Sequence, residues 1–288
     1  MTATLANIKK VGIVGAGTMG QGIAQIVAMA DYQTILYDID QRVLDKAKKV
    51  ITKNLDKGIE KGKVTGETKE KALKNLDFTT SIDDLTCDLI IEAIVEKLDV
   101  KRKVFQQLEE INSPETILAS NTSSIPITQI GASLDQPERF VGMHFFNPAH
   151  IMKLVEIISG AATADEVASI ARSFAEKLGK KTVMAKDSPG FIVNRVARHF
   201  YVEGLKILEE GVADVETIDN LVEASGFKMG PFRLMDLIGV DTNFSVTISM
   251  FNSFYQDPKF RPSRIQQQKV DAGHHGRKSG KGFYDYNK

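Results

Sequence analysis

The segment Lys10-Val11-Gly12-Ile13-Val14-Gly15-Ala16-Gly17-Thr18-Met19-Gly20 constrains the fold of this chain more than any other. A short apolar run reads as a buried strand. Three glycines follow at the spacing G-x-G-x-x-G, and Thr18 to Ala30 then repeats apolar residues at helical spacing. Strand, tight turn and helix in that order make the phosphate-binding turn of a dinucleotide fold. Gly15 permits the turn, Gly17 lets backbone approach a pyrophosphate, and Gly20 lets helix and strand pack closely. Ala16, Thr18 and Met19 complete the loop, where the helix N-terminus faces phosphate charge. Glycines alone are common in turns, so the reading rests on the strand before them and the helix after. Asp38 ends a second strand, Thr34-Ile35-Leu36-Tyr37, where a carboxylate can bond both ribose hydroxyls. It also repels a 2′-phosphate, which favours NAD over NADP; Arg42, four residues on, works against that preference.

The alternation continues. Gln41 to Gly62 reads as a charged helix, with Asp88–Ile91 and Ile117–Ala119 as strands around a helical Asp99–Ile111. Phe140–Phe145 and Leu154–Ile158 are two further strands, Ala164–Leu178 is helical, and Lys181–Ala185 is a last strand. Such a pattern predicts an open, mostly parallel α/β sheet. After Lys186-Asp187-Ser188-Pro189-Gly190 the strand signal ends. Phe191–Gly211, Val215–Ala224 and Pro231–Phe254 each carry helical spacing. We therefore expect an α/β domain over 1–186 and an all-helical one over 187–288.

Composition sets limits. Of 288 residues, 37 are Lys or Arg and 37 are Asp or Glu, which gives no general reason to expect nucleic acid or an anionic membrane as partner. One cysteine, Cys87, excludes an internal disulfide and suits a reducing compartment. No apolar run approaches the ~20 residues of a membrane span, and no leader pattern opens the chain, so a cytoplasmic location is expected. With one cysteine and scattered histidines, no metal-ligand cluster is expected.

The neutral total hides a local excess. Residues 41–63 hold eight basic and three acidic side chains, a net +5. Lys46, Lys49, Lys53, Lys57 and Lys61 recur at 3 or 4 residues and line one helix face. A solvated face is the ordinary explanation; attraction for a nucleotide-sized polyanion is the functional one.

His144 lies late in the strand 140–145, and ligand sites in such sheets lie beyond the carboxyl ends of strands. An imidazole suits the base that oxidation of an alcohol requires; a satisfied core histidine is the alternative. Glu156 weighs on this choice. It interrupts the apolar strand Leu154–Ile158, where an unpaired carboxylate is costly. If the two strands form a hairpin centred on residue 150, His144 and Glu156 face each other, and the carboxylate fixes the imidazole. A one-residue slip would separate them. Ser120-Asn121-Thr122-Ser123-Ser124 follows another strand, as a substrate-binding loop or a helix cap. Asn194, about one turn into the first helix after the boundary, faces either a cleft or solvent.

Together these features resemble the short-chain 3-hydroxyacyl-CoA dehydrogenases, and among them the bacterial 3-hydroxybutyryl-CoA dehydrogenases. The resemblance covers essentially the whole chain and is carried by the glycine motif, SNTSS at 120–124, GMHFFNP at 142–148, MKLVEII at 152–158, DSPGFIVNR at 187–195 and GRKSGKGFYDY at 276–286. It implies a Rossmann-like domain followed by a helical domain that forms most of a homodimer interface. It implies His144 as general acid/base with Glu156 as its partner, and Ser123 and Asn194 as substrate-oxygen contacts. Glu96, Lys101, Ser123, Asn147 and Lys278 match nicotinamide-side or other NAD contacts. Asn54 and Lys61 match positions that touch coenzyme A, as does Ser123. The expected reaction is NAD-dependent, reversible oxidation of an (S)-3-hydroxyacyl-CoA. A related dehydrogenase of a free hydroxy acid, or a dinucleotide-binding protein without turnover, are the alternatives; the lysine stripe and the intact His144/Glu156 pair speak against them.

Overall fold

The computed structural model describes residues 4–287. One compact unit ends at Ser188 and a second begins at Pro189. Asp187 is bonded into the first, its carboxylate accepting from the backbone N–H groups of Ile127 and Thr128 at 3.0 and 2.7 Å.

The first unit holds β1 (Lys10–Val14), α1 (Thr18–Met29), β2 (Gln33–Tyr37), α2 (Gln41–Glu60), α3 (Gly66–Lys74), β3 (Leu76–Thr79), β4 (Leu89–Glu92), α4 (Leu98–Ile111), β5 (Ile117–Ser120), α5 (Ile127–Gly131), β6 (Phe140–Phe145), β7 (Leu154–Ser159), α6 (Asp165–Lys177) and β8 (Lys181–Lys186). The strands form one sheet in the order β3-β2-β1-β4-β5-β6-β7-β8. Only the β6–β7 pairing is antiparallel. The order reverses beside β1, which is where open α/β sheets bind dinucleotides.

Burial explains the local choices. Val11, Ile13, Val14, Leu89, Ile90 and Ile91 are fully buried, so β1 and β4 read as continuous apolar runs rather than alternating ones. In α2 the buried residues Leu44, Ala47, Ile51 and Leu55 are spaced 3, 4 and 4 and face the core, which leaves the lysine stripe exposed on the opposite side. Asp40 caps this helix by accepting from Arg42 N–H.

The structure adds three elements to the predicted order in this unit, α3, β3 and the short α5. β3 is a four-residue edge strand paired with β2. The second unit contains α7 (Val193–Glu209), α8 (Val215–Ala224), α9 (Pro231–Ile238), α10 (Val240–Ser253) and α11 (Arg264–Asp271). The single helix predicted over 231–254 is two. Gly239 separates them with φ 108°, a conformation that breaks a right-handed helix. Among the described residues no helix is long and apolar enough to cross a membrane.

Candidate active site

The glycine loop is built by close approach. Gly15 has φ 97°, and a methyl group placed on it would sit 2.8 Å from Ala93 O. On Gly20 it would lie 1.7 Å from Gly15 O, so only glycine lets α1 start against the strand it follows. Gly17 differs: a methyl group there would meet nothing within 4 Å. The open face at Gly17, at the N-cap of α1, fits the pyrophosphate of a dinucleotide. Asp38 Oδ2 accepts from Ala16 N–H at 2.8 Å, and Oδ1 accepts from Asp40 N–H at 3.1 Å. The acid thus holds the loop, and a carboxylate has lone pairs left for ribose hydroxyls. Arg42 is paired with Asp40 at 2.8 Å, with its side chain 91% exposed.

β6 and β7 pair in the register symmetric about residue 150, with His144 opposite Glu156. His144 Nδ1 lies 2.7 Å from Glu156 Oε2, and both residues are buried. A carboxylate can only accept, so Nδ1 donates to it and carries the proton of the ring. The Phe146 ring packs on the imidazole at 4.4 Å between centroids. Asn147 follows, exposed, in the loop to β7. That loop is pinned by Lys180, whose Nζ donates to Ala149 O at 2.6 Å and Met152 O at 2.8 Å.

A buried polar cluster joins β4, α4 and the loop after β5. Lys101, 1% exposed, places Nζ 2.5 Å from Glu92 Oε1 and 3.2 Å from Glu96 Oε2. Glu96 Oε1 accepts from Ser123 N–H at 3.1 Å, from Ser124 N–H and from the Thr122 and Ser124 hydroxyls. Burial raises the Glu96 carboxyl, but Lys101 and these donors outweigh it and hold it below its ordinary value. Asn121 ties the same loop to β6, its Oδ1 accepting from Phe145 N–H at 2.8 Å. Ser123, half-buried, is therefore positioned from both sides.

Sequence reasoning missed Glu92, Asn121 and Lys180. Glu92 carried a related signal: it closes an apolar strand as Glu156 interrupts one. Asn121 and Lys180 gave no local signal, because their partners lie 24 to 31 residues away.

Two further candidates lie on or at the end of α2. Asn54, half-buried, donates to Gln25 Oε1 on α1 at 3.3 Å. Lys61 is the exposed residue closing α2. In the second unit, Asn194 lies in the first turn of α7. Lys278 is paired with Asp241 at 2.7 Å, which, with burial opposing, keeps the Asp241 carboxyl below its ordinary value. Among the described residues no group of three or more metal-ligating side chains is found.

A glycine-loop sheet with a buried His–Glu pair at the carboxyl end of a neighbouring strand defines a dinucleotide-dependent oxidoreductase. Residues 10–188 match the family described as 3-hydroxyacyl-CoA dehydrogenase, NAD binding domain, and residues 190–286 match 3-hydroxyacyl-CoA dehydrogenase, C-terminal domain. The chain belongs to the 3-hydroxyacyl-CoA dehydrogenase family, and NAD is the cofactor of its first domain. It is 48% identical over 284 residues to a 3-hydroxyadipyl-CoA dehydrogenase of Escherichia coli, covering 98% of this chain and 60% of that one. It is 44% identical to a 3-hydroxybutyryl-CoA dehydrogenase of Bradyrhizobium diazoefficiens, covering 98% and 96%. The crystal structure of an (S)-3-hydroxybutyryl-CoA dehydrogenase from Ralstonia eutropha superposes with a TM-score of 0.93 at 41% identity, covering 98% and 100%.

Proposed function

We propose that this protein oxidises (S)-3-hydroxyacyl-CoA reversibly to 3-ketoacyl-CoA, with 3-hydroxybutanoyl-CoA as substrate. The observation that carries the reading is the buried His144–Glu156 pair, set in register at the carboxyl end of β6. The names of the relatives support it. They differ in acyl group, butyryl in one and the longer, carboxylate-ended adipyl in another.

Bound NAD supplies the hydride acceptor for oxidation and, when reduced, the donor for the reverse direction. In oxidation His144 Nε2 takes the proton of the C3 hydroxyl. In reduction it returns a proton to the developing alkoxide. Glu156 holds the ring through Nδ1 and stabilises its charge as the proton arrives. Ser123 and Asn194 bond substrate oxygens and so orient C3. Asp38 takes the adenosine ribose, and the loop from Gly15 to Gly20 takes the pyrophosphate, with Glu96, Lys101, Asn147 and Lys278 serving the cofactor. Asn54, Lys61 and the stripe on α2 take the phosphates of coenzyme A; the exposure of those lysines supports this role.

In this reading the first unit, which ends at Ser188 and not at residue 186, is the cofactor domain, and the second binds substrate and forms a homodimer in the cytoplasm. Exposed apolar side chains in the second unit, among them Val196, Leu221 and Phe227, support an interface there. The test is consumption of NADH with acetoacetyl-CoA, compared with a medium-chain 3-ketoacyl-CoA and with NADPH. Turnover with NADH is expected; none with any 3-ketoacyl-CoA would overturn the reading.

A further inference from the structure

Glu92 stands at the centre of the buried cluster, and no role considered above uses it. It is fully buried at the end of β4. Oε1 accepts from Lys101 Nζ at 2.5 Å and from Ile94 N–H at 2.7 Å. Oε2 accepts from Ser120 Oγ at 2.7 Å, and that hydroxyl itself accepts from Thr122 N–H at 3.2 Å. All three partners of Glu92 are donors, the pattern of a carboxylate and not of a carboxylic acid. Glu96 is held in its charged form by Lys101 and the loop donors. Two carboxylates thus share one ammonium, and the cluster has a net charge of −1.

Its place in the fold gives that charge a target. Ala93, the next residue, donates its N–H to Val14 O and presents its own carbonyl to Gly15. Ser120 leads into the loop whose Asn121 holds Phe145, the neighbour of His144. The cluster therefore lies between the glycine loop and the strand that carries the acid/base. The hydride-accepting ring must approach the carbon whose hydroxyl His144 deprotonates, so the nicotinamide end of the cofactor belongs at this end of the sheet. That ring is cationic when oxidised and neutral when reduced.

We infer that Glu92 is a positioning residue that acts through Lys101 and Glu96: its charge keeps the cluster at −1 and favours binding of the oxidised cofactor over the reduced one. A buried charge acts over several ångströms in a low-dielectric setting, so removing it changes the discrimination on the order of tenfold. The inference rests on the NAD reading of this domain.

The test is the pair of dissociation constants for NAD⁺ and NADH, measured by titration without substrate. Glu92→Gln keeps the shape and neutralises the cluster. Its Kd for NAD⁺ should rise roughly tenfold more than its Kd for NADH. The double variant Glu92→Gln/Lys101→Met removes both charges of the buried pair; because Lys101 also serves the cofactor, both constants rise and only their ratio is the readout. It returns the cluster to −1, and the ratio of the two constants should return toward the wild-type value. Equal weakening of both forms in Glu92→Gln would make Glu92 a packing residue and overturn the inference. So would an unchanged ratio, or a double variant that keeps the altered ratio. If the unmodified protein binds neither form, the NAD reading itself fails.

Discussion

Gly17 and Gly20 make opposite predictions from one substitution. In Gly20→Ala the new methyl group would lie 1.7 Å from Gly15 O and 2.9 Å from Gly15 C. Ordinary contact begins near 3.4 Å, so loop and helix must part by roughly 1.7 Å. The neighbour is backbone and cannot rotate away. Overpacking of this kind costs about 3 kcal/mol, against less than about 1 kcal/mol regained because alanine favours a helix. For a unit of this size that net loss lowers Tm by roughly 4–12 °C. Gly17→Ala meets nothing within 4 Å, and its φ of −66° is open to alanine. Its Tm should stay within about 2 °C of the parent. Its methyl group fills the face offered to pyrophosphate, so NADH affinity should fall roughly tenfold or more, ~1.4 kcal/mol. The assay is a thermal melt of each variant, paired with titration of NADH by fluorescence. A Gly20→Ala protein as stable as the parent would refute the steric argument. A Gly17→Ala protein with unchanged affinity would remove the pyrophosphate from that face.

Three further outcomes follow from the same geometry. His144→Gln should lower turnover roughly 100-fold or more while the NADH Kd stays near the parent value, read by steady-state kinetics and titration. Lys180→Met strips two donors from the loop carbonyls of Ala149 and Met152 and should cost about 1–3 kcal/mol, seen as a lower Tm. The Glu96 carboxyl is held below its ordinary 4.5, so its contribution to stability is present above that pH and is lost as pH falls through the lowered value. A Glu96→Gln protein should therefore melt below the parent at neutral pH, and the gap should close as the pH drops beneath 4.5; a gap independent of pH would contradict the assignment.

Much of the sheet was legible because its central strands are buried on both faces. β1 and β6 emerged with the predicted bounds: β1 is apolar after Lys10, and His144 is the one polar side chain in β6. β3 was not legible. It is a four-residue edge strand with one buried residue, too short for a period to register. α11 hid for a related reason: its sequence is mostly polar, and it buries only Gln266. The break between α9 and α10 was hidden by continuity. Apolar spacing runs through Gly239, and only the backbone conformation there, not the pattern, ends the helix.

The site divides along a different line. His144 and Glu156 could be paired from sequence because a hairpin makes contact a matter of counting: residues equidistant from the turn oppose each other, and a buried acid demands a partner. The cluster of Glu92, Lys101 and Glu96 obeys the same energetic rule but not the same arithmetic. Its members lie on one strand–loop–helix segment, from the end of β4 into α4, and no single period relates a strand residue to the helix residue that turns back onto it. The demand for a partner was visible at Glu92, an acid ending Leu89-Ile90-Ile91; the identity of that partner was not. An isolated acid in an apolar strand is therefore the part of such a site that sequence reports dependably, and antiparallel pairing is what turns that report into geometry.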